Sequence, residues 1–228
     1  MFYILGAVLI ICGLIAYEKR KSDRATTNAT ERFWDREREA NLTRRKDISN
    51  LPYINVTYDT LPLTAMPDSD EYNASVQQLQ ALSDKKILDL SGMTNTDLKL
   101  TYGAANLPVL MECDQNYLVL LRCLSRMANL LLEAGLEPEA ETVLAYSLHI
   151  GSTIRSSYEQ LASIYCHRKD YRKLDALIAR AEALETSTKD ALLSSLYTIR
   201  QQASGTKNTV FNPEELFESE TPSPNDHL

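Results

Sequence analysis

From Asp114 onward the apolar residues of this chain fall into helical periods that recur at an interval of 34 residues. No other feature constrains the fold as strongly. A unit repeated at that interval cannot bury its own apolar face and has to stack on a neighbour. Counting on by 34 takes Ala128 to Ala162, Leu131 to Tyr165, Leu144 to Ile178 and Ser147 to Ala181, so small residues fall on small ones and large apolar residues on large ones. The segments are LSRMANLLLEAGLEPEAETVLAYSLHIG and QLASIYCHRKDYRKLDALIARAEAL. Small side chains at Ala128, Ala140, Ala162 and Ala181 let helix axes approach, and the Leu or Tyr beside them fills the groove between. Gly135 stands where a helix should end and suits a left-handed cap.

This pattern resembles the tetratricopeptide family, whose 34-residue unit packs two antiparallel helices with small residues at their contact. In the first unit the resemblance is carried by Leu124, Ala128, Leu131, Gly135, Ala140, Leu144 and Ser147. In the second it is carried by Tyr158, Leu161, Ala162, Tyr165, Ile178 and Ala181. The second unit departs from the family at Lys169 and Leu174, where glycine and alanine are usual. Thr186-Ser-Thr-Lys starts one more helix, whose Leu192, Leu193, Leu196 and Ile199 form the stripe expected of a capping helix. The resemblance runs from Asn116 to Gln202, and two units are fewer than the three or so a solenoid needs, so preceding segments are expected to complete the core. The fold class is therefore all-α: two tetratricopeptide-like hairpins and a capping helix, preceded by a helix and an extended strap, in a domain spanning 51–202.

Those preceding segments carry their own signals. Pro67-Asp-Ser-Asp-Glu71 places acids where a helix N-terminus favours them, and Val76, Leu79 and Leu82 follow at helical spacing, giving a helix over 69–83. Leu51 to Leu63 sets Tyr53, Ile54, Val56 and Tyr58 between two Leu-Pro pairs and reads as an extended strap with buried apolar side chains. Thr94-Asn-Thr-Asp97 looks like a cap for Leu98 to Tyr102, with Gly103 closing that helix. Asp114 reads as the cap of a helix beginning at Gln115. Over 18–50, Asn28-Ala-Thr-Glu31 has the form of a capping box, and charges three apart suggest a helix from Ala29 to Asn41. That helix reads as a solvated spacer whose Phe33 and Trp34 are free to dock on the domain or rest at lipid headgroups. Arg44-Arg-Lys46 could reach headgroups only from a helix lying along the surface.

Met1 to Tyr17 holds no charged side chain and is followed by Glu18-Lys-Arg-Lys21 and Arg24. As a helix it would span roughly 25 Å, near the lower limit for crossing a bilayer. It lacks the basic stretch before and the small-residue site after that a cleaved signal requires, so it reads as a retained transmembrane anchor. Its basic flank predicts a single-pass cell-membrane protein with a cytoplasmic body and a lipid contact through the N-terminal helix. Four Asn-x-Ser/Thr triplets, at Asn28, Asn41, Asn55 and Asn73, are what chance supplies for so short a pattern. The whole arrangement resembles anchored proteins of Gram-positive gut bacteria.

The net charge is -7, yet residues 17–47 carry a local excess of three positive charges, which leaves an acidic body. An acidic body argues against nucleic acid as a partner, since phosphate binding needs a basic face. Residues 203–228 hold Glu214, Glu215, Glu218, Glu220 and Asp226 against Lys207 and read as a flexible acidic tail. Three cysteines outside the anchor, Cys113, Cys123 and Cys166, show no metal or disulfide spacing. His149, His167 and His227 have no ligand partners at metal spacing, and no phosphate loop, nucleophile elbow or zinc-protease motif is present.

No enzyme, cofactor or metal is called for, which leaves binding. In tetratricopeptide domains the first helix of each pair lines the concave face. The resemblance therefore places Arg122, Ser125 and Asn129 of one unit beside Glu159 and Ser163 of the next as candidate contacts for a protein or peptide. The expected function is a membrane-anchored scaffold or adaptor. Its alternative is a structural subunit of a membrane complex whose groove is filled by the 51–63 strap.

Overall fold

A computed structural model describes residues 17–19, 27–28 and 30–203 of the chain. Every regular element among them is helical, so the described chain is all-α. In order these are a helix over residues 30–42 (α1), a 3-10 turn Tyr58–Thr60, α2 Asp70–Gln80, α3 Asn95–Tyr102 and a 3-10 turn Ala104–Asn106. Then follow α4 Leu107–Glu133, α5 Glu137–His149, α6 Arg155–His167, α7 Tyr171–Glu182 and α8 Lys189–Ala203. Among the described residues no helix is long and apolar enough to cross a membrane. The expected anchor, Tyr17 excepted, lies outside the described residues, and so does the acidic tail beyond Ala203. The chain divides into two compact units, Met1–Arg126 and Met127–Leu228, with the division falling inside α4.

In the first unit the helix ends are set by local hydrogen bonds. Ser69 caps α2 through the Tyr72 amide, with Asp70 and Glu71 in the first turn. Thr94 and Asp97 form a full capping box on α3. Two expected caps are absent. Thr27 and Asn28 are already helical, so Asn28 does not start that helix. Asp114 lies within α4, which begins at Leu107 with Pro108 in its first turn, where a missing amide matters least. The Asp114 carboxylate instead accepts a hydrogen bond from the Leu90 amide at 3.4 Å.

That bond belongs to a seam. The segment 86–90 runs along α4 through the Leu88 amide to the Cys113 carbonyl (3.3 Å) and the Asn116 side chain to the Lys86 carbonyl (3.0 Å). Leu88, Leu90, Leu98, Leu110 and Cys113 are buried together there, with Leu51 and Tyr53 packed against them. The strap lies on this seam without forming a strand: the Ile54 amide bonds the Ile87 carbonyl at 2.9 Å, and the Tyr58 hydroxyl bonds the Leu79 carbonyl at 3.1 Å. Its apolar residues are half-buried, and Leu61 is fully buried.

Residues 43–46 cross the joint between α3 and α4. The Lys46 amide bonds the Tyr102 carbonyl at 3.0 Å, and the Ala104 amide bonds the Thr43 carbonyl at 3.3 Å. Asn106, wholly buried, donates to the carbonyls of Lys46 and Tyr102, each at 2.7 Å, and accepts from Arg45 Nε at 3.0 Å. Arg45 is thereby committed to its own unit rather than left free for headgroups.

Upstream of the crossing, α1 docks on α3 with Ala40 buried, through Glu37 to Lys99 and Thr96, Asn41 to Lys99, and Arg36 to Asp97 at 2.6 Å. Phe33 and Trp34 remain about half exposed and meet each other edge to face, with ring centroids 5.3 Å apart. The Lys99 and Thr96 hydrogen bonds hold the Glu37 carboxyl below the usual range. The Thr94 hydroxyl and amide do the same for Asp97. A carboxyl with a lowered folded value contributes stability that is present above the unfolded value and lost as pH falls through the folded one, here below about pH 4. Amide exchange in α1 and α3 should therefore accelerate as pH falls from about 5 to about 3, beyond the intrinsic trend, and Asp97→Asn should flatten that dependence in α3. Parallel profiles for the variant and the parent would count against it.

The second unit is organised around α6, which packs against α5, α7 and α8, while α7 also meets α8. Ala128, Ala140, Ala162 and Ala181 are all completely buried, as small residues at close helix contacts must be. Leu192 and Leu196 of α8 are buried, with Leu193 and Ile199 half-buried beside them. Helix α4 ends in a left-handed cap at Gly135 (φ 75°), with the Leu136 amide reaching back to the Leu131 carbonyl and the Gly135 amide to Leu132. Helix α6 ends in the same way 34 residues later: Lys169 has φ 56°, the Asp170 amide bonds Tyr165, and the Lys169 amide bonds Cys166. The lysine departs from glycine in type but keeps its conformation. Lys169→Gly should consequently stabilise the protein by about 1 kcal/mol, read as a higher urea midpoint at unchanged slope. An unchanged or lower midpoint would refute this.

Candidate protein-binding site

The five residues singled out above do not all fall in one unit. Arg122 and Ser125 lie on the part of α4 that belongs to the first unit, where Arg122 is exposed and Ser125 is half-buried with its Oγ unpartnered. Asn129, Glu159 and Ser163 lie in the second unit, and the structure brings them together.

Helical spacing places Glu159, Gln160 and Ser163 on one side of α6, with the Ser163 hydroxyl bonded back to the Glu159 carbonyl at 2.9 Å. Gln160 reaches across to α4 and donates to Asn129 Oδ1 at 2.6 Å. Around them opens a cavity of about 360 Å³, lined by Leu132, Glu137, Glu159, Gln160, Ser163 and His167 among others. Its mouth is wide enough for a side chain to enter and small for anything larger than a few residues.

Burial pushes the Glu159 carboxyl up, but hydrogen bonds from Arg155 (2.6 Å) and from Ser195 of α8, with the Arg155 charge, outweigh this and hold it below the usual range. Glu159 is thus an anion near neutrality. Glu137 stands at the other end, 2.9 Å from His167 Nδ1 and 3.6 Å from Arg168 Nε. Glu141 continues the row with Arg168 and with Lys173 at 2.7 Å, so the start of α5 is stitched to the α6–α7 turn. Exposed pairs of this kind contribute little singly and fix geometry jointly.

The arrangement therefore offers amide and hydroxyl groups over an apolar floor of Leu132 and Ile164, between two carboxylates. Such a surface can hydrogen-bond an extended backbone and receive an amide or cationic side chain. Among the described residues no group of three or more His, Cys, Asp or Glu surrounds a common point. Sequence reasoning missed Gln160 and the Glu137–His167 pair. Gln160 falls 34 residues after Arg126, so the repeat interval marked its column even though the residue type changes.

Comparison with models of protein families, with curated proteins and with solved structures gives no match for this chain.

Proposed function

We propose that this chain is a membrane-held adaptor whose second unit is tetratricopeptide-like and takes a protein partner on its α4–α6 face. One observation carries the reading: two residues 34 apart, Asn129 and Ser163, line one side of α4 and α6 around an open polar cavity, with Glu159 between them. The left-handed caps at Gly135 and Lys169, also 34 apart, support the repeat interval independently of side-chain type. The partner is a peptide segment that presents backbone amides and an amide or basic side chain to Glu159. The Leu51–Leu63 strap bonds to Leu79 and Ile87 of the first unit, which favours an adaptor over a subunit whose groove is filled by that strap. The membrane attachment rests on the uncharged run Met1 to Tyr17 and its basic flank.

Proximity labelling from the full chain in cells tests both parts. The double variant Asn129→Lys and Ser163→Lys should lower the yield of specific labelled partners about tenfold, the effect of about 1.4 kcal/mol, while leaving the protein in the membrane fraction. A chain starting at Ser22 should leave that fraction. A partner set indifferent to the double variant would sink the groove assignment, and a Ser22 chain that stays with the membrane would sink the anchor.

A further inference from the structure

A second opening lies on another face of the same unit, between α5 and α7 and above α6. It encloses about 320 Å³ and has a floor of Leu148, Leu161, Tyr165 and Leu177, all buried. It is open because Ala145 of α5 and Ala176 of α7 are small and exposed, where longer side chains would close it. Its rim is cationic. Lys173 and Arg180 lie one and a half to two turns apart on α7 on the same side as Ala176 and Leu177, and Arg172 flanks them. Lys173 is matched by Glu141, but Arg172 and Arg180 have no carboxylate partner among the described residues; Arg180 uses one end of its guanidinium on the Leu148 carbonyl that closes α5.

An apolar slot with two unneutralised arginines selects an occupant that is both acidic and aromatic. The α4–α6 cavity, between Glu137 and Glu159, would repel such an occupant. The chain itself contains one. Residues 210–217 read Val-Phe-Asn-Pro-Glu-Glu-Leu-Phe, setting Phe211, Leu216 and Phe217 around Glu214 and Glu215, and Glu218 and Glu220 follow.

The reach is sufficient. Helix α8 runs antiparallel to α7, with Tyr197 bonded to Glu182 and Arg200 paired with Asp175 at 3.0 Å, so Ala203 ends beside the first turn of α7. From there the occupant has to cross α7, a width of about 10–12 Å, and the seven residues 204–210 extend to about 23 Å.

We propose that the α5–α7 groove is the receptor for the chain's own 210–217 segment, with Phe217 or Phe211 on the apolar floor and Glu214 and Glu215 meeting Arg180 and Arg172. The contact is intramolecular and lies on a different face from the partner site, so it does not depend on the adaptor reading.

The test places the photo-crosslinking residue p-benzoylphenylalanine at Phe217 of the full chain, purified in detergent, and maps the products by mass spectrometry. Crosslinks should fall on peptides containing 145–148 and 172–180, within one chain and at a yield independent of protein concentration. Arg172→Glu with Arg180→Glu should reduce the yield about tenfold, and adding Glu214→Arg with Glu215→Arg should restore it. Because Arg180 also caps α5, Ala176→Trp serves as a second variant: it fills the slot from an exposed position and should lower the yield equally with unchanged helix content. Crosslinks elsewhere, crosslinks between chains that grow with concentration, no crosslink, or a yield indifferent to both variants would each overturn the proposal.

Discussion

Replacing Gly103 with alanine should unfold the first unit or come close to it, at about 4 kcal/mol. Two effects add. Gly103 has φ 92° and ψ 141°, a region that side chains disfavour by about 1–2 kcal/mol. The larger effect is steric. A Cβ on Gly103 would stand 2.7 Å from the Arg44 carbonyl carbon and 2.7 Å from Arg45 Cα, and nearer still to the Arg44 carbonyl oxygen. These are backbone atoms held by the Lys46–Tyr102 and Ala104–Thr43 hydrogen bonds, so they cannot yield as a side-chain tip would. The measurement is amide exchange resolved by unit, with α3 losing protection while α6 keeps it. A contrast fixes the cause: Gly92 also has positive φ (83°) but open space around its Cβ, so Gly92→Ala should show the backbone effect alone, about 1 kcal/mol. Equal effects at the two glycines would refute the steric account.

The second large effect is expected at Asn106. Changing it to leucine keeps the volume and removes three hydrogen bonds, stranding the Lys46 and Tyr102 carbonyls and the Arg45 guanidinium in a site with no exposure. At about 1–3 kcal/mol for each buried group left without a partner, partly recovered as Arg45 turns to water, the loss should be about 3 kcal/mol. Chemical denaturation would show it as a lower midpoint for the first unit. Asn106→Asp should do nearly as badly, because it keeps the acceptor for Arg45 and loses both donors. If the aspartate variant matched the wild type, the two carbonyls would be satisfied in some other way.

What could be read from the sequence follows the range of the interactions involved. The ends of α2 and α3 were legible because Ser69, Thr94 and Asp97 bond to amides two or three residues away. The all-helical class was legible from apolar spacing, and the course of α8 from its stripe. The start of α4 was not, since Leu107-Pro108 reads as a break until the proline is seen to occupy the first turn. Asp114 was misread because its carboxylate serves the Leu90 amide, a partner no local pattern announces. The seam, the crossing at Gly103 and the Asn106 bonds are all long-range and leave no periodic trace. In the candidate site, Asn129 and Ser163 were found because the interval of 34 is local in the repeat frame. Gln160 was missed because its role is defined by Asn129 on another helix.

The crossing of residues 43–46 over the α3–α4 joint also has a mechanical meaning. A pull on the chain from upstream of residue 30 would first meet the solvent-facing links of α1, such as Arg36 to Asp97, which weak tension can break one at a time. It would next meet the Thr43 to Lys46 segment, where two backbone bonds and the Asn106 side chain act together around a glycine that leaves no slack. Tension is therefore arrested at that point, and α1 can act as a fuse that extends and re-docks while the helices beyond it stay folded.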